Sequence, residues 1–67
     1  MKYDAKQFYY DMYAKYEKLT REALDKIGET PEDDLYELTF WNEMFGMYQR
    51  KREEYWTRYE TLLKLDR

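Results

Sequence analysis

The groups able to do chemistry in this chain are carboxylates, lysines, tyrosines and threonines, because it contains neither histidine nor cysteine. That removes the usual general base near neutral pH, the thiol nucleophile, the disulfide and every Cys/His zinc pattern. At 67 residues the chain also encloses a reactive pocket only with difficulty, since a domain near 60 residues hides only about 60% of its unfolded surface. The expectation is a single non-enzymatic domain over residues 1–67, with no catalytic residue, no cofactor and no metal.

Two charged segments offer other chemistry. Glu29, Glu32, Asp33, Asp34, Glu37 and Glu43 form a run of six acids with no base among them, whereas the rest of the chain has twelve bases against nine acids. Such a run can chelate calcium or imitate nucleic-acid phosphates. A calcium loop counted from Asp25 needs glycine at its sixth position and glutamate at its twelfth, and meets Thr30 and Tyr36 instead. The plainer reading is that these acids favour the positive end of a helix dipole. The second segment is Gln49-Arg50-Lys51-Arg52, followed by Tyr55, Trp56 and Arg58. Its cations can meet phosphates while its rings stack on exposed bases. Glu53, Glu54 and Glu60 interrupt it and the net charge is -3, which better suits a solvated helix face with pairs such as Arg50 with Glu54.

The aromatics are the most informative group, at 21% of the chain. They stand on helical repeats. Ala5, Tyr9, Met12, Tyr16, Leu19, Ala23 and Ile27 recur at three- and four-residue steps, predicting a helix over about 3–27, roughly 37 Å long. Gly28 follows the last apolar residue, where a left-handed C-terminal cap is expected, with Lys26 facing the negative helix end. Thr30-Pro31-Glu32-Asp33-Asp34 then reads as a start signal: hydroxyl cap, proline in the first turn, then carboxylates. Downstream, Leu38, Trp41, Phe45, Tyr48, Arg52, Tyr55, Tyr59 and Leu62 keep one phase through Gly46, predicting an unbroken second helix over about 31–65. With no valine and one isoleucine there is little to build a sheet. The fold class is all-α, a helical hairpin with its turn at 28–30.

At about 100° per residue, Tyr3 and Tyr10 point away from the main stripe of the first helix. On the second, Tyr36, Phe40, Met44 and Met47 form a stripe turned a quarter circle or more from Trp41, Phe45 and Tyr48. A helix apolar over so wide an arc is buried on more than one side, and one partner helix does not cover both stripes. A turn at 28–30 also leaves an overhang of about 15 Å beyond Tyr55, carrying Trp56, Tyr59, Leu62 and Leu63. These points predict association as a homodimeric four-helix bundle or crossed hairpins.

The expected function is a protein-binding module, a small regulator, adaptor or inhibitor acting on a larger protein. Tyr10, Tyr36, Phe40, Met47, Trp56 and Tyr59 are its candidate contact residues, of types that interface cores favour. The alternative is a nucleic-acid-binding homodimer using Arg50, Lys51, Arg52 and Arg58. The charged N-terminus lacks the apolar run of a signal peptide and no stretch suits a membrane span, so the chain is read as soluble, complete and cytoplasmic. Small size without catalytic groups is compatible with a phage or mobile-element origin.

Overall fold

Two long helices make up the described residues, which are 90% helical and without strands. The computed structural model describes residues 4–65; Tyr3 lies outside them. Helix α1 spans Ala5–Glu29 and helix α2 spans Leu35–Leu65, packed against each other as an antiparallel hairpin.

Local chemistry explains the boundaries, and at the turn it departs from the expected ones. Asp4 opens α1 in extended conformation, its carboxylate accepting the Lys6 N–H at 3.0 Å. The helix does not end at Ile27. Gly28 has no positive φ and continues the helix, so no left-handed glycine cap forms. Thr30 closes it instead: its backbone N–H reaches the carbonyls of Lys26 and Ile27, and its hydroxyl donates to Lys26 O at 2.6 Å. Pro31 disfavours helical backbone at the residue before it, and Thr30 is extended, with ψ of 131°. Thr30 is thus spent on the first helix and does not cap the second.

The cap of α2 is Asp34. Its carboxylate accepts the Glu37 N–H at 3.2 Å and its carbonyl accepts from Leu38 at 3.0 Å, while its own N–H closes a turn onto Pro31 O. Helix α2 therefore starts at Leu35, four residues later than Pro31. Through Gly46 it runs unbroken, as its phase predicts.

The longer turn resets the pairing of the helices. Tyr10 meets Tyr59, Tyr13 meets Trp56 and Glu17 meets Arg52, so the residue numbers of each facing pair sum to 69. On that register Ala5 stands opposite about Lys64, and the expected overhang beyond Tyr55 is absent. Trp56 and Tyr59 are both covered on one side by rings of α1.

The seam between the helices is aromatic. Tyr55 receives Phe8, Tyr9 and Tyr16, the last stacked at 5.8 Å with planes 10° apart, and Tyr16 also meets Tyr48 at 6.1 Å. Ring pairs of this kind contribute about 0.5–1.5 kcal/mol each beyond their area. Yet among the described residues only the small Ala23 and Thr20 are buried, and no large side chain is wholly enclosed. Every member of the predicted α2 stripe, from Leu38 to Leu62, is half-buried. A two-helix seam shields one side of each ring and leaves the other to solvent.

Candidate partner-binding surfaces

The six candidate contact residues fall into two separate patches. Tyr10, Trp56 and Tyr59 meet at the end of the hairpin remote from the turn. Tyr10 packs edge-on against Tyr59 with ring centres 5.5 Å apart, and Trp56 lies 5.5 Å from Tyr59. The sequence reading missed Tyr13, which joins this patch at 4.9 Å from Trp56 and 6.2 Å from Tyr10. Its signal was its spacing: three residues after Tyr10, it lies on the same side of α1 between Tyr10 and the main stripe. Tyr10 and Trp56 nonetheless remain about 40% exposed.

Next to this patch an open groove of about 470 Å³ is lined by Tyr13, Glu17, Arg52, Glu53, Trp56 and Thr57. Its floor holds the one ion pair between the helices among the described residues. Glu17 accepts from Arg52 Nη1 at 3.1 Å through one oxygen and from Arg21 Nε at 2.9 Å through the other. The Arg21 hydrogen bond, aided by Arg52 and opposed by desolvation, holds the Glu17 carboxyl below the ordinary glutamate value. Arg52 thus bridges to its own chain's first helix from within the apolar stripe.

Tyr36, Phe40 and Met47 form the second patch, on the turn-proximal half of α2. Tyr36 is 80% exposed, Phe40 and Met47 about 40%. Phe40 lies edge-on to Trp41 at 5.0 Å, whose indole N–H donates to Glu37 at 3.1 Å. Leu35, Tyr36, Thr39, Phe40 and Glu43 line a shallow apolar depression here. From Met47, the nearest member, to Trp56 is nine residues, about 13 Å along the helix and about half a turn around it, so the two patches do not make one continuous site.

The basic segment is largely neutralised within the chain. Arg52 is held by Glu17, Arg58 pairs with Glu54 at 3.3 Å and lies 5.9 Å over the Tyr9 ring, and Lys51 stands 3.9 Å from Glu54. Glu54 takes Arg58 and Lys51, and the expected Arg50–Glu54 pair does not form; Arg50 has no ion pair among the described residues.

Among the described residues, no group of three acidic side chains is arranged to hold a metal ion, and no helix is long and apolar enough to cross a membrane. No protein-family model, no curated protein and no solved structure matches the chain.

Proposed function

We propose that this protein is a non-enzymatic interaction module, a small regulator, adaptor or inhibitor that works as a homodimer and binds a larger protein. The observation that carries the reading is surface in excess of what a compact fold requires. The accessible area is 5537 Å², whereas a compact monomer of 8.6 kDa exposes about 4,700 Å². The excess, roughly 800 Å², is about what one partner buries in a standard protein interface. It is carried by large apolar side chains: Tyr10, Leu24, Tyr36, Phe40, Met47 and Trp56 are all exposed. Large apolar side chains left exposed together on a small domain favour an interaction site.

Tyr10, Trp56 and Tyr59 are the contact residues for the larger protein. Rings already ordered by each other lose little freedom on binding, and Tyr and Trp dominate interface hot spots. The test is affinity capture from the native host, followed by reconstitution with the purified captured protein. Tyr10→Ala and Trp56→Ala are each expected to weaken that complex by tenfold or more while the helical circular dichroism is retained. Unchanged affinity in both variants refutes this contact surface.

A further inference from the structure

The second patch has a charge pattern that selects its occupant. The turn and first half of α2 carry Glu32, Asp33, Asp34, Glu37 and Glu43 and no cation, a net of minus five up to Gly46. From Met47 to Leu65 the helix carries five cations against three acids, a net of plus two. Met47 stands at the boundary, on the stripe that begins with Tyr36 and Phe40 and lies more than a quarter turn from the α1-facing side. A helix acidic in one half and basic in the other, with an apolar stripe through both, is complementary to itself when reversed.

We propose that a second copy of this chain covers the patch, the two α2 helices packing antiparallel about a two-fold axis at Met47. This deepens the homodimer in the reading above and rests on it. A two-fold axis at that position pairs residues whose numbers sum to 94. Met47 then meets its own counterpart. Glu43 of each copy faces Lys51 of the other, which exchanges its 3.9 Å contact with Glu54 for this pair, and Tyr36 faces Arg58, which keeps its pair with Glu54. Parallel packing sets acid against acid and forfeits these pairs. Because the interface is isologous, every pair off the axis occurs twice, which doubles its contribution, and Met47 meets Met47 once. Tyr36, Phe40 and Met47, all exposed in the single chain, lie on the face this contact covers. Tyr10 and Trp56 lie outside this interface and stay available for the larger protein.

The absence of cysteine allows a direct test. Helices packed 8–10 Å apart bring facing Cα atoms within disulfide range, so Met47→Cys is expected to form a covalent dimer under mild oxidation, while Asn42→Cys on another face does not. In parallel, sedimentation equilibrium is run on the full chain and on charge variants, with circular dichroism verifying the fold of each. Glu43→Lys and Lys51→Glu are each expected to raise the dimer dissociation constant by about tenfold or more, and the double variant to return it to within about threefold of the parent. A dimer that neither cross-links at position 47 nor shows rescue by the charge swap overturns this arrangement and leaves self-association standing. A wild-type chain that stays monomeric up to high micromolar concentration overturns both. A monomer that loses capture of the larger protein on Phe40→Ala assigns the patch to that protein and also overturns the proposal.

Discussion

Gly28→Ala separates two accounts of the turn by the sign of its effect. If Gly28 adopted the left-handed conformation of a C-terminal cap, an alanine there would cost about 1–2 kcal/mol. In the structure its φ is not positive, it lies inside α1, and a Cβ built on it meets nothing within 4 Å. Alanine then removes only the entropy that glycine loses on folding, worth about 0.5–1 kcal/mol, toward the lower end this close to the helix terminus. In a domain of this size each kcal/mol moves the melting temperature by about 4–8 °C, so a rise of roughly 2–5 °C is expected. Gly46→Ala provides the internal comparison. It too has open space around its Cβ and sits in mid-helix, where the full ~1 kcal/mol applies. The two sites share no partner, so the double variant is expected to add to within about 0.5 kcal/mol. The assay is thermal and urea denaturation followed by far-ultraviolet circular dichroism, at one fixed protein concentration because the proposed association would shift the midpoint. A lowered melting temperature for Gly28→Ala refutes the continued helix. A loss confined to Gly46→Ala places another backbone against that residue, which the hairpin alone does not supply.

The cap assignment is tested by Asp34→Ala, which is expected to cost about 0.5–2 kcal/mol in urea denaturation because the Glu37 N–H loses its acceptor. Thr30→Val is expected to cost less, since the backbone N–H of Thr30 still bonds to Lys26 and Ile27 when the hydroxyl is gone. Glu17 predicts a pH dependence. Its carboxyl titrates below the ordinary value of 4.5 in the folded chain, so its contribution is present above the unfolded value and is lost as pH falls through the folded one. Chemical denaturation between pH 6 and pH 3 should therefore show a smaller loss of stability in Glu17→Gln than in the parent, and equal slopes would contradict the pairing of Glu17 with Arg21 and Arg52.

The parts of the fold that were legible in the sequence are those that depend on a repeated pattern. The α1 and α2 stripes recur over many turns, so their phase survives any single ambiguous residue, and the passage of α2 through Gly46 followed from that phase alone. The turn depended on single residues whose signals compete. A glycine after the last apolar residue suits a cap, but Gly28 is equally able to remain helical when Thr30 supplies the closing bonds. Thr30-Pro31 and Asp34 each match a start signal, and the choice between them is made by Thr30 being already bonded to Lys26. That local choice moved the register of the whole hairpin and removed the overhang. Arg52 shows the same limit at the candidate site. Its place in an apolar stripe was visible, but its partner Glu17 is 35 residues away and became identifiable only with the register.

The shape of the molecule explains why so much apolar surface remains. The Cα envelope measures 52 × 22 × 13 Å, one helix thick and two wide. Each helix has a single neighbour, which covers only the stripe that faces it, yet the aromatic side chains extend well around both helices. Lengthening the helices would not change this, because every added turn brings new outward-facing residues in the same proportion as buried ones. Burial of the outer rings requires a third element beside the pair, and the described residues form only two helices. In the proposed assembly the cover comes from another molecule. In the dimer proposed above, charge decides which molecule sits where: the half-acidic, half-basic α2 is complementary to its own reverse across Met47, whereas the patch around Tyr10, Trp56 and Tyr59 lies beyond Arg52 and stays outside that contact.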